Sequence, residues 1–150
     1  MHTVAVDIAL LTLALNAVAA AIGAWAWQRF AAPRAFWVAL RVAQAAAVAQ
    51  AVFAGVAAAA GSRPDSGLYW LYALLPVIIG FFAEQFRSVA AQAELDRRGL
   101  ADAQAVGSLP AEQQQFLVRA ILHRELGVMA IAAAVVVFLA WRALVTAAGL

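Results

Sequence analysis

The chain has 150 residues, of which 67% are hydrophobic and 12% are charged, with a formal net charge of +2. Soluble domains average roughly 45–50% apolar and roughly 25% charged residues, so a soluble globule of this length cannot account for the excess. The small net charge comes without a recognition motif, and nucleic acid is therefore not an expected partner. The apolar residues form four blocks of about 20 to 25 residues, the length that crosses a bilayer. The sequence predicts an integral membrane protein.

Four membrane spans follow one another along the chain. We place them at about residues 4–27, 35–60, 68–87 and 119–145. No basic residue precedes the first span, whereas Arg29 and Arg34 follow it, which is the reverse of a signal peptide. Glycines and a proline at positions 61–67 are typical of a turn. We predict an all-α, integral membrane four-helix bundle of up-down-up-down order, formed by a single transmembrane domain over residues 1–150.

The third and fourth apolar blocks are each extended by polar sequence. The third helix should continue to Arg98 and break at Gly99. The fourth should begin near Ser108, a helix-capping residue type, with Pro110 in its first turn. From there to the end of its span it would be roughly 55 Å long, against roughly 30 Å for the hydrocarbon core. We therefore predict that helices three and four project into the cytoplasm as a short helical hairpin at about residues 88–118.

The arginines predict the orientation, because positive residues near span ends favour the cytoplasmic side. Two arginines, Arg63 and Arg142, fall on one side of the predicted bundle. The other eight fall on the opposite side, namely Arg29, Arg34, Arg41, Arg87, Arg97, Arg98, Arg119 and Arg124. Aromatic residues, which favour the two interfaces, agree: one set is Trp25, Trp27, Phe30, Phe36 and Trp37, and the other is Tyr69, Trp70, Tyr72 and Trp141. Both termini are expected outside the cytoplasm.

Ionisable side chains inside the spans are candidates for a functional site, because a charge within a membrane is expensive. At 1.5 Å per residue, Arg41, Glu84 and His123 each lie about 24 to 28 Å from the outer end of their span. They therefore form one layer near the cytoplasmic interface. Helical wheels place further polar residues on the same faces. The candidate ligand-binding set is Arg41, Gln44, Glu84, Arg87, Arg119 and His123.

Two interpretations of this layer stay open. In the first, the arginines are interfacial anchors that extend to lipid headgroups, and Glu84 pairs with Arg41 or Arg87. In the second, the layer lines a cavity open to the cytoplasmic leaflet that holds an anionic headgroup, a quinone or a proton-relay pair of Glu84 and His123. Glu125 lies on the opposite face of its helix from His123, so we expect it to meet headgroups, solvent or a partner chain.

Two amides and a small-residue motif predict how the helices pack. Asn16 and Gln50 lie close to the membrane midplane, where interhelical hydrogen bonding is the usual role of an amide. Ala51, Gly55 and Ala59 repeat at every fourth position, a spacing that lets two helix backbones approach closely. We expect both features to join helices of the bundle.

The inventory of reactive residues excludes several activities. Cysteine is absent, and the two histidines, His2 and His123, lie toward opposite ends of the bundle. Thiolate metal sites and a bis-histidine haem within one chain are therefore excluded. Nucleophile motifs and glycine-rich phosphate loops are missing as well. We expect no catalytic residues, no metal and no cofactor.

All ten basic residues are arginine and 42 residues are alanine, a composition typical of GC-rich bacterial genomes. With this composition, the segments Gly67–Tyr72 and Ala83–Arg87 resemble uncharacterised four-span membrane proteins of GC-rich, actinobacterial-type bacteria. The resemblance implies no activity. We expect a small, non-enzymatic protein of the bacterial inner membrane that contacts lipid and acts as an accessory or assembly subunit, by self-association or in a larger complex. The alternative is a binder or transporter of a lipid, quinone or anion that uses the polar layer.

Overall fold

The fold is all-helical over the part of the chain that the computed structural model describes, residues 2–61 and 67–147. Its helices are α1 (His2–Gln28), α2 (Arg34–Ala59), α3 (Gly67–Asp96), α4 (Ala103–Val106) and α5 (Ala111–Ala147). The four longer ones are long and apolar enough to cross a membrane. The predicted four-helix bundle is confirmed, and the chain is a multi-pass membrane protein. Arg63 and the side chain of His2 lie outside the described residues.

The four long helices are arranged in a ring. α1 packs against α2 and α5, and α3 packs against the same two helices. Each long helix therefore lies beside the next one in the chain, and α5 closes the ring against α1, as in an up-down-up-down bundle. The interfaces of α5 with α1 and with α3 are the largest, and the interface between α2 and α3 is the smallest. The α2–α3 seam is therefore the least extensively packed side of the ring.

The core is built from small residues, which let the helices approach closely. Six of the ten residues in its main buried cluster are alanines. α1 approaches α5 and α2 closely at Gly23, where a Cβ atom would lie 2.7 Å from the Cβ of Ala130 and 2.7 Å from Cε2 of Phe36. A Cβ on Gly127 would lie 3.1 Å from the indole Nε1 of Trp27. Both glycines therefore lie where a side chain has little or no room.

One sequence prediction about packing is wrong. The motif of Ala51, Gly55 and Ala59 does not hold helices of the chain together, because Gly55 is exposed and a Cβ there would have no atom within 4 Å. The motif lies on the outer face of α2. Phe36, one of the aromatic residues expected to mark a membrane interface, is fully buried in the core.

The connection between α3 and α5 differs in detail from the prediction. α3 ends at Asp96 and the chain turns at Gly99, whose φ of 66° is in the left-handed region that favours glycine. The short α4 was not predicted. Asp102 caps it by accepting a hydrogen bond from the backbone nitrogen of Ala105 at 2.9 Å. Ser108 donates its hydroxyl to the carbonyl of Ala105 at 2.7 Å, so it closes α4 rather than capping α5.

A buried carboxylate ties the extended ends of α3 and α5 together. Glu94 is 8% exposed, and its carboxylate lies 3.4 Å from Nη2 of Arg98 and 3.0 Å from Nε of Arg124. The Arg98 guanidinium also lies over the ring of Phe116, 5.1 Å from its centre. A buried charge is tolerated when it is paired in this way. The two helices therefore stay in contact well beyond the core.

Candidate functional site

A cavity of about 260 Å³ lies among the four long helices. Its lining residues are Asn16 of α1; Leu40, Arg41, Gln44, Ala47 and Val48 of α2; Pro76, Val77, Gly80, Phe81, Ala83 and Glu84 of α3; and Met129, Ala132, Ala133 and Val136 of α5. Three of them are strongly exposed, namely Arg41, Val48 and Phe81, and these lie on α2 and α3. The cavity therefore opens sideways between α2 and α3, at the smallest interface of the bundle. We call it the α2–α3 crevice.

One end of the crevice carries a hydrogen-bonded network that joins α2 to α3. Nη1 of Arg41 donates to Oε1 of Glu84 at 2.5 Å and to Oε1 of Gln44 at 2.7 Å. Nε2 of Gln44 donates to the same Glu84 oxygen at 3.2 Å. The predicted pairing of Arg41 with Glu84 is confirmed. Three of the predicted site residues therefore meet in one place.

Arg87 extends this network toward α5. Its Nε lies 3.7 Å from Oε2 of Glu84 and 3.9 Å from Oε2 of Glu125. Its guanidinium lies over the ring of Trp37, 5.6 Å from the centre. The prediction that Glu125 points away from the polar layer is wrong, because this face of α5 is turned toward α3. The polar network therefore contains two arginines and two carboxylates, of which Arg41 and Glu84 line the crevice.

His123 and Arg119 do not join the cluster. The His123 ring stacks on Phe30, with 4.2 Å between ring centres, and on Trp27, with 5.9 Å between centres. Its Nδ1 atom is buried without a hydrogen-bond partner, and within the described residues no hydrogen bond or ion pair joins His123 to Glu84. Arg119 is exposed and lies outside the crevice lining. The structure therefore contradicts a relay pair of Glu84 and His123, because the histidine faces α1.

The two midplane amides also differ from the prediction. Nδ2 of Asn16 donates to the carbonyl of Thr12 in its own helix at 2.8 Å, and the residue lines the crevice. Gln50 is 1% exposed, and neither polar atom of its amide has a hydrogen-bond partner. The side-chain link between α1 and α2 comes instead from Thr12, whose hydroxyl lies 3.4 Å from the carbonyl of Ala46. The predicted interhelical bonds of Asn16 and Gln50 are wrong.

The crevice is polar at one end and apolar at the other. Its wall on α3 runs from Glu84 to Pro76, a length of about 12 Å at 1.5 Å per residue. Beyond the network, the lining is apolar except for Asn16 on the inner wall. Gly80 lies halfway along this wall, and a Cβ there would have no atom within 4 Å. The open space beside Gly80 is therefore part of the crevice.

The fold and the crevice define a multi-pass helical membrane protein with a side-facing amphipathic cavity. Comparisons of the chain with protein-family models, curated proteins and solved structures find no match. Among the described residues, no three histidine, aspartate or glutamate side chains are grouped so that they could hold a metal ion. Hydrogen bonding at one end and apolar contact at the other are the interactions that the crevice offers a ligand.

Proposed function

We propose that this protein binds a small amphiphile from the bilayer in the α2–α3 crevice. The polar head lies at the network of Arg41, Gln44 and Glu84, and the apolar chain lies along α3 toward Pro76. The observation that carries the proposal is the division of one cavity into a charged end and an apolar end. A head at the interface and a chain pointing toward the midplane is also how a lipid-like molecule already lies in a leaflet. Such a ligand could enter without changing direction.

The size and the opening of the crevice limit the ligand. A volume of about 260 Å³ lies just below the roughly 300–1,000 Å³ of pockets that enclose drug-sized ligands. The crevice therefore has room for part of one acyl chain, and a second chain of the same lipid would lie outside it in the bilayer. Val48 and Phe81 at its mouth are 49% and 62% exposed, and an apolar molecule can reach them only from the hydrocarbon phase. The accessory or assembly role and self-association stay predictions.

Filling the crevice should abolish binding. We expect Gly80→Leu to remove a co-purifying amphiphile, because the new side chain would occupy the open space on α3 without meeting another atom at its Cβ. Leucine is a good helix former, so the helix should be kept. Native mass spectrometry of the purified protein would measure the bound molecule, and thermal unfolding would measure the fold.

The matched control for this prediction is Gly55→Leu. Gly55, like Gly80, is helical and has no atom within 4 Å of a built Cβ, but it is exposed and lies outside the crevice lining. We expect this variant to keep the wild-type set of bound molecules. An identical set of bound molecules in Gly80→Leu and in wild type would overturn the proposed function.

We also propose that the protein lies in the bacterial inner membrane with both termini outside the cytoplasm. The support is the division of eight arginines on one side and two on the other. Alkaline phosphatase fused after Leu150 should be active, whereas a fluorescent protein fused there should stay dark. Activity of the fluorescent fusion together with an inactive phosphatase would mean the inverse orientation.

A further inference from the structure

We infer that the head of the bound amphiphile is an anionic oxygen group, a carboxylate or a phosphate. This inference rests on the proposed function and concerns the ligand class of the same crevice. It follows from which hydrogen-bonding groups at the polar end are already used within the chain and which are still free. A fatty acid and a phospholipid both supply such oxygens, so the shared chemistry is an anionic head on an acyl chain.

The free groups at the polar end are donors. The Arg41 side chain is 54% exposed, and of its three nitrogens Nη1 makes both of its hydrogen bonds within the described residues. A guanidinium has five N–H groups, so Nε and Nη2 still offer three of them. Their planar arrangement matches two oxygens of a carboxylate or phosphate, and such charge-assisted bonds are stronger than neutral ones. Arg41 therefore binds an anionic oxygen group more strongly than a neutral acceptor.

The acceptors that line the polar end already face cationic or amide groups of the chain. Oε1 of Glu84 accepts hydrogen bonds from Arg41 and from Gln44, and Oε2 faces Nε of Arg87 at 3.7 Å. Oε1 of Gln44 also accepts from Arg41. The second carboxylate, Glu125, lies 3.9 Å from the same Arg87 nitrogen. A cationic head would have to compete with two arginines for Glu84, whereas an anionic head needs only the free side of Arg41.

The test uses matched single-chain probes on the protein in phosphatidylcholine nanodiscs at neutral pH. A 12-carbon carboxylate with a photoreactive diazirine on its chain labels the protein, and mass spectrometry maps the labelled peptide. Dodecanoate, dodecyl phosphate, dodecanol and dodecylamine then compete for the label. We expect labelling of the peptide around Val77 to Phe81 and competition by dodecanoate and dodecyl phosphate at roughly tenfold lower concentration than by dodecanol. Dodecylamine should compete least.

Competition by the two anionic probes distinguishes the sources of the head. Stronger competition by dodecanoate indicates a fatty acid, and stronger competition by dodecyl phosphate indicates a phospholipid. Either result supports the inference. Equal competition by dodecanol, or stronger competition by dodecylamine, would overturn it. These measurements use the wild-type protein and do not depend on whether a variant folds.

Two substitutions should have opposite effects on labelling by the carboxylate. Arg41→Gln removes the free donors and should weaken labelling roughly tenfold. Glu84→Gln removes a negative charge next to the head and should strengthen it. Arg119→Gln is the matched control, because Arg119 is exposed on the same side of the bundle but outside the lining, and it should leave labelling unchanged. Weaker labelling in Glu84→Gln than in wild type would contradict an anionic head.

Gly80→Leu separates failure of this inference from failure of the proposed function. The experiment is repeated with a photoreactive amine of the same chain length. In one outcome, the amine labels the crevice peptide, Gly80→Leu abolishes this labelling, and the carboxylate does not label the peptide. In that case the inferred anionic head is wrong and the proposed binding function stands. If Gly80→Leu changes the labelling by neither probe, both proposals fail.

Discussion

Replacing Gly23 with alanine should lower the free energy of unfolding by about 1–3 kcal/mol, the usual effect of forcing an extra group into a packed core. The new methyl group would lie 2.7 Å from the Cβ of Ala130 and 2.7 Å from the ring of Phe36. Neither neighbour can easily move, because Ala130 is short and fixed to α5, and Phe36 is 0% exposed. α1 and α5 would have to separate along one of the largest interfaces of the bundle. Thermal or chemical unfolding in detergent would measure the loss.

The control for this prediction is the same substitution at Gly55, where a Cβ meets no atom within 4 Å. Alanine is favoured over glycine in a helix by about 1 kcal/mol, so Gly55→Ala should be neutral or stabilising. Adding Ala130→Gly to Gly23→Ala should recover part of the lost stability, because one of the two close contacts is removed. Equal stability of the Gly23 and Gly55 variants would show that the α1–α5 contact is looser than described.

Replacing Gln50 with leucine should raise the free energy of unfolding by about 1–3 kcal/mol, the penalty of a buried polar group without a partner. Gln50 is 1% exposed, and both its amide nitrogen and its amide oxygen lack hydrogen bonds. Leucine removes these polar atoms and keeps a side chain of similar size in the core. Unfolding in the same detergent as for the glycine variants would measure the gain.

The matched amide for this comparison is Asn16, which is buried to a similar degree but donates a hydrogen bond to the carbonyl of Thr12. Asn16→Leu removes a satisfied group, so we expect no gain in stability. A lower stability of Gln50→Leu than of wild type would contradict the prediction. It would mean that a water molecule or a partner chain satisfies the Gln50 amide in the membrane.

The depth of each side chain along its helix could be predicted from the sequence. The pairing of Arg41 with Glu84 was predicted because the two side chains lie at the same depth. The rise per residue fixes how far each side chain lies from the end of its span. α2 and α3 are consecutive, so their side chains at one depth are close to each other. The four long helices and the break at Gly99 could also be predicted, because an apolar block and a glycine act on the local structure of the chain.

The neighbouring helix that each side chain faces could not be predicted in this way. α5 packs against both α1 and α3, so a helical wheel shows which residues share a face but not which neighbour that face meets. His123 consequently faces Trp27 and Phe30, and Glu125 faces Arg87, the reverse of the expectation. The close approach at Gly23 was missed for a related reason. A lone glycine in an apolar span gives no sign of the helix that it touches.

Under the proposed function, the sideways opening of the crevice determines how ligand concentration acts on this protein. A molecule that enters between α2 and α3 arrives from the plane of the leaflet, so occupancy depends on its mole fraction among the lipids. Its concentration in water acts only through partitioning into the membrane. Adding empty lipid vesicles to a binding assay would therefore dilute the ligand in two dimensions and lower occupancy at constant total ligand. Entry and exit between α2 and α3 would also leave the contact between α1 and α5 intact.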